Sequence, residues 1–194
     1  MRMPVAVLAC LMTLTAFAGC TSGDDGDASV YVKDKPAGDW SAVHITFTEV
    51  SVHQSGGNES SGWKVLYSDA SGTTVDLLNA SGTRAAFLGA SGLPAGHYQQ
   101  VRIHVSKAHG VDSAGVGNDI GLPNGDLRTS KSFKVEAGKE TQITIDIDLD
   151  HALTMKGDGW EFKPVIGKVY THVKEKGSHP DEGEVAAVDL TDDA

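Results

Sequence analysis

Thiols are almost missing from this 194-residue chain. Its two cysteines, Cys10 and Cys20, both fall within the first twenty residues. Everything downstream lacks a disulfide or a thiolate metal site, so its fold rests on an apolar core alone. Aromatic residues are scarce at 6%, while glycine is abundant at 23 residues. That composition fits short strands joined by many turns and excludes a fold of long helices. After residues 5–18, no apolar run approaches the ~20 residues that a spanning helix needs, which excludes a polytopic helical membrane protein. Cationic side chains are few: 16 Lys and Arg stand against 26 Asp and Glu, a formal net charge of −10. Nucleic acid is therefore not an expected partner, because its binding requires clustered Lys and Arg. The charge favours solubility and attraction of cations. A Gly-x-Ser-x-Gly elbow, a P-loop and a Gly-x-Gly-x-x-Gly turn are all missing, so no enzymatic activity is expected.

What is present begins with the leader. Arg2 precedes an apolar run over residues 5–18 that ends in Phe17-Ala18-Gly19-Cys20. The run has the length of a signal-peptide core, and a polar, acidic, Gly-rich stretch follows it. The junction resembles the lipobox of prokaryotic lipoproteins. That resemblance implies removal of residues 1–19, a diacyl group on the Cys20 thiol, and a protein held on the extracytoplasmic side of a membrane in the cell envelope. Two acyl chains suffice for stable anchoring where one does not. Residues 20–28 read as a flexible tether. Residues 174–194 are acidic and poor in large apolar side chains, and read as a mostly disordered tail. Within that tail, Val185-Ala186-Ala187-Val188-Asp189-Leu190 has the composition of a weak edge strand.

Between these ends, over residues 29–173, the hydrophobic period is two. Val43, Ile45 and Phe47 alternate with His44, Thr46 and Thr48; Val50 and Val52 continue after a one-residue slip at Glu49, which suggests a β-bulge. Val101, Ile103 and Val105 form a second such run, and Ile143, Ile145, Ile147 and Leu149 a third. One apolar and one polar face per strand fits antiparallel sheets. The pattern predicts an all-β, antiparallel β-sandwich, Greek-key and transthyretin- or immunoglobulin-like. Ala-Ser-Gly recurs at residues 70, 80 and 90 and reads as turn punctuation, with a short helical turn over residues 85–88.

Candidate chemistry is sparse. Asp146, Asp148 and Asp150 share one face of the third run, roughly 6.6–6.8 Å apart. Ca²⁺–O distances are about 2.3–2.6 Å, so sharing one ion would require a bend or a partner such as Asp34. The residues after Asp150 do not continue an EF-hand loop, since His151 stands where Gly is needed. A solvated polar face is the alternative. All eight histidines lie beyond residue 43; His44 and His104 fall on polar strand faces, and with others they would suit Zn²⁺ or Cu²⁺ only if their strands were neighbours. No cofactor is otherwise indicated. Asn58-Glu59-Ser60 and Asn79-Ala80-Ser81 are sequons, which makes Asn58 and Asn79 candidate glycosylation sites.

Several segments carry a likeness to a known family: Val32-Lys33-Asp34-Lys35-Pro36-Ala37, Val43-His44-Ile45-Thr46-Phe47, Trp63, Val75-Asp76-Leu77-Leu78, Leu93-Pro94-Ala95-Gly96-His97-Tyr98 with Gln100-Val101-Arg102, Ile145-Asp146-Ile147-Asp148 and Phe162-Lys163-Pro164. Over roughly residues 28–173 the chain resembles the DUF4382 family of uncharacterised prokaryotic lipoprotein domains. The resemblance implies a β-sandwich on a lipid anchor and carries no catalytic residues. The expected role is a surface-anchored, non-catalytic module binding a protein, glycan or small ligand outside the cell; the alternative is a divalent-cation domain built on the aspartates above.

Overall fold

The computed structural model describes residues 25–34, 38, 40–58 and 60–193; Cys20 and the leader lie outside them. Among the described residues there are twelve strands: β1 (Asp25–Asp34), β2 (Trp40–Gln54), β3 (Trp63–Asp76), β4 (Arg84–Pro94), β5 (Gly96–Asp112), β6 (Gly117–Gly121), β7 (Asp126–Val135), β8 (Glu140–Ile147), β9 (Leu153–Lys156), β10 (Gly159–Phe162), β11 (Ile166–Lys174) and β12 (Val185–Ala187). A 3₁₀ turn at Leu77–Asn79 and a short helix, α1 (Leu149–Ala152), are the helical pieces. The strands form two sheets. The first runs β11-β8-β1-β4-β12; the second runs β3-β2-β5-β6-β10-β9, with β7 also paired to β5. They pack as a β-sandwich over one core. Val30 and Val32, Ile143 and Ile145, and Val101 and Ile103 all meet there, fully buried.

The all-β sandwich is as the alternation predicts, but the sheets are mixed. β1 pairs with β8 in parallel and β6 with β10 in parallel; the other strand pairs are antiparallel. Alternation of apolar and polar residues reports which face is wet, not the direction of the neighbouring strand, so it could not separate the two cases. The slip at Glu49 is a bulge, where β2 shifts register against both β3 and β5. Residues 85–88 lie in β4 and form no helical turn. Their pairing with β1 and β12 supplies the hydrogen bonds that a helical turn would have made locally.

Both ends of the domain lie further out than expected. β1 begins at Asp25, inside the segment read as a tether, with the Gly138 N–H donating to the Asp25 carbonyl at 3.1 Å. The acidic C-terminal segment is not a disordered tail in this structure; it is a strap. Residues 175–184 cross the outer face of the first sheet, where the His179 ring stacks on Phe87 at 5.1 Å. β12 then pairs with β4. Residues 188–193 return across the same face: Gln142 Nε2 donates to the Asp189 carbonyl at 2.9 Å, and Asp193 N–H donates to Thr171 O at 2.8 Å. The disorder expectation fails because it weighs the segment's charge and low hydrophobicity and omits its polar partners.

Those partners sit on a buried polar face. Ser29, Gln142 and Thr144 are all at most 5% exposed, and Glu140 is 1% exposed. One oxygen of Glu140 accepts from Ser29 Oγ, from His179 Nε2 at 3.0 Å and from Lys174 Nζ at 3.2 Å. Burial alone would raise the Glu140 carboxyl, but these donors outweigh it and leave it below the usual carboxylate range. A depressed folded value means stability that is full above the ordinary Glu range near ~4.3 and is lost as pH falls through the folded value. Glu140→Gln should therefore lower the unfolding free energy at pH 7 by about 1–3 kcal/mol. It should also flatten the loss of stability on acidification below pH ~4.3. Urea melts from pH 7 to pH 3 read both quantities, and parallel pH profiles for the two proteins would refute this assignment.

Candidate functional site

The aspartates singled out above are pulled apart by the strand pleat. Asp34 ends β1 on the core side; it is fully buried and its Oδ1 accepts the Leu149 N–H at 3.2 Å. Asp146 projects from the opposite face, where its Oδ2 meets Lys33 Nζ at 3.1 Å in a largely buried ion pair. β8 ends at Ile147, so the straight-strand spacing expected for Asp146, Asp148 and Asp150 does not persist. Asp148 instead caps α1: its carboxylate accepts the His151 N–H and contacts the His151 ring at 2.8 Å. Asp150 is exposed in the first turn of α1. Among the described residues no group of three or more His, Cys, Asp or Glu is arranged to hold a metal ion.

His44 and His104 are not brought together, although their strands pair. His44 lies on β2 opposite His109, whereas His104 lies opposite Glu49 and contacts Asp126 at 2.7 Å. Asn58 and Asn79 are both exposed. The Asn58 carboxamide oxygen accepts from Ser60 and from the Ser61 N–H, which closes the β2–β3 turn. Asn79 Nδ2 donates to Asp76 at 2.7 Å.

A different cluster occupies the outer face of the second sheet, around Trp63. The guanidinium carbon of Arg102 lies 4.5 Å from the Trp63 ring centroid and that of Arg128 lies 5.6 Å from it. His53 meets the same ring edge-on at 5.1 Å. Strand register builds the arrangement: His53 stands opposite Trp63, Ser51 opposite Arg102, and Arg102 opposite Arg128. Arg102 is held in place by bonds to Ser51 Oγ and to Glu49 Oε1, each 3.1 Å. His53 is pinned between the Asn58 carbonyl and Gln99. Arg128 is exposed, and neighbouring Val65 is 49% exposed, so the patch opens to solvent. Its chemistry is a π face with two cations over it, each such contact contributing about 0.5–2 kcal/mol.

Sequence reasoning noticed Trp63 only for its family likeness and missed the cluster. The available signal was Glu49, Ser51, His53 and Arg102 on the polar phases of β2 and β5; their convergence on Trp63 depends on cross-strand register. Gly62 is part of the construction. A Cβ there would stand within van der Waals overlap of His53 Nε2 and Cε1.

The model of the DUF4382 family, a domain of unknown function, matches residues 25–164, which includes every residue of this cluster and stops before β11 and the strap. No curated protein and no solved structure matches the chain. No helix among the described residues is long and apolar enough to cross a membrane.

Gly62→Ala should displace the His53 ring, lower stability by about 1–3 kcal/mol through overpacking, and shift tryptophan emission to the red. Unchanged emission and an unchanged melting midpoint would show that the turn yields without moving the ring. With the match spanning the second sheet and its outward face, this chain belongs to the DUF4382 family of domains of unknown function.

Proposed function

We propose that this protein is a lipid-anchored, non-catalytic binding module of the cell envelope, and that it binds through the outer face of its second sheet. The observation that carries the reading is the Trp63 patch. An aromatic ring flanked by Arg102 and Arg128 stands on an open sheet face, while the strap covers the corresponding face of the other sheet. Tryptophan and arginine are the side chains that most often dominate binding energy at an interface. Arg102 and His53 are fixed by neighbouring groups, so their ordering cost is met before a ligand arrives. Arg128 is exposed at the patch, within reach of a carboxylate, sulfate or carbonyl. The anchor rests on the leader and on Cys20. Five peptide steps lead from Cys20 to Asp25 and span at most about 18 Å. The end of the sandwich that holds Asp25 and Gly138 would then stand close to the membrane.

Two measurements test the reading. Mass spectrometry of membrane-extracted protein should find a diacylated Cys20 as the N-terminal residue, and Cys20→Ala should move the protein to the soluble fraction. An unmodified N-terminus downstream of Cys20 would overturn the anchor. For binding, the purified chain should co-sediment with isolated cell-envelope polysaccharide and protein, and Trp63→Ala with Arg128→Ala should reduce that retention at least tenfold while leaving the melting midpoint within a few degrees. Equal retention by the double variant would remove this face from consideration.

A further inference from the structure

The flank of the sandwich between β7 and β11 carries a second feature. β7 pairs with β5 and β11 pairs with β8, and the two strands approach across a groove lined by residues 129–131 and 166–169. Three cavities follow one another along β7. The first, about 300 Å³, lies between Asn124, Asp126 and Lys163; the second, about 240 Å³, between Lys131, Lys168 and Val169; the third, about 230 Å³, between His97, Phe133 and Lys134. In a chain of net charge −10, lysines stand on both walls of this groove: Lys131, on Asp192, and Lys134, beside Glu136, on one; Lys163, beside Glu161, and exposed Lys168, over the Tyr170 ring, on the other.

The end of the strap already lies in it. Lys131 Nζ donates to both Asp192 oxygens, at 2.7 and 2.9 Å. Asp192 Oδ1 accepts the N–H and hydroxyl of Thr171, and Asp193 Oδ2 accepts the Val173 N–H at 3.0 Å. The Asp193 N–H donates to the Thr171 carbonyl. Two carboxylates and one main-chain bond thus satisfy the free edge of β11 at residues 171 and 173. By the alternation of an antiparallel pair, Val169 presents its N–H and carbonyl on the same edge, and the strap does not extend that far. Burial would raise the Asp192 carboxyl, yet the Lys131 and Thr171 donors hold it below the usual range.

We propose that the groove between β7 and β11 is a docking site for an extended acidic peptide segment, and that residues 191–193 occupy one end of it as the chain's own substitute. The incoming segment adds to the β11 edge from Val173 toward Gly167, in the manner of strand addition. Its carboxylates meet Lys131 and then Lys168. A competing segment must displace Asp192 and Asp193, so the intact chain binds weakly and loosening its strap exposes the site.

The probe is an acetylated, fluorescein-labelled peptide of sequence Val-Asp-Leu-Thr-Asp-Asp, titrated into the full chain and followed by anisotropy. Asp192→Asn with Asp193→Asn should raise its affinity at least tenfold over the unaltered chain, and 0.5 M salt should reverse much of that gain. Adding Lys131→Glu should abolish it. Lys168→Glu, an exposed change outside the strap's own contacts, should weaken peptide binding in the loosened chain and leave the melting midpoint unaltered. No gain on loosening the strap, or a gain indifferent to both lysines, would overturn the proposal. Sedimentation equilibrium runs alongside: dimers of the unaltered chain that dissociate with the strap variant would assign the groove to a second copy's strap and overturn it equally.

Discussion

Apart from a small cluster of Tyr31, Ala85 and Phe87, the outer face of the first sheet is polar, and it is dry. Those two facts together constrain most of the structure. A buried carboxylate or amide without a partner costs several times what a net hydrogen bond contributes, so Ser29, Glu140 and Gln142 must each find one. Ser29 bonds Glu140, and the strap and β11 supply the rest: His179 and Lys174 on Glu140 and Asp189 on Gln142. Covering the face also explains why β1 and β8 are buried along nearly their whole length. Sheets that carry parallel pairs are usually covered on both sides; here the core covers one side and a returning peptide, in place of helices, covers the other.

This arrangement divides the molecule into a closed half and an open half. On the closed side, Lys33 and Asp146 form a largely buried ion pair, with the Asp34 carbonyl 3.5 Å from Lys33 Nζ. On the open side, the outer face of the second sheet keeps its solvent and its Trp63 cluster. The two faces are built from the same alternation of strand residues. What distinguishes them is a segment that the family match does not include, since the matched residues end at 164 and the strap begins at 175.

Much of the sandwich was legible in the sequence. The runs through Val43 and Phe47 and through Ile143 and Ile147 point their apolar residues inward as the period of two requires, and the break at Glu49 falls where the register shifts. Ala80-Ser81-Gly82 does lie at a turn. Ala90-Ser91-Gly92 lies within β4, and Ala70-Ser71-Gly72 sits inside β3 where the strand loops out and Gly72 adopts φ +76°. The candidate sites were less legible, for one physical reason. Asp34 and Asp146 are adjacent in register but on opposite faces, and Trp63 meets Arg102 and Arg128 only across β2, β5 and β7. Period tells which face a residue takes; it does not tell which residues share that face across strands.

Charge shows the same limit from another side. Residues 175–193 hold seven acidic residues and one lysine, so more than half of the chain's net negative charge belongs to the strap. Read as composition, that excess signals self-repulsion and disorder. In place, the carboxylates at its C-terminal end meet donors fixed by the sheets: Asp192 on Lys131 and Thr171, Asp193 on Val173, with His172 between Asp189 and Asp193. Long-range repulsion among them is screened within about 8 Å at physiological ionic strength, whereas the bonds to donors act at about 3 Å and are partly shielded from solvent. The short interactions win, and the acidic composition that predicts a free tail is what lets the segment bind a polar sheet face.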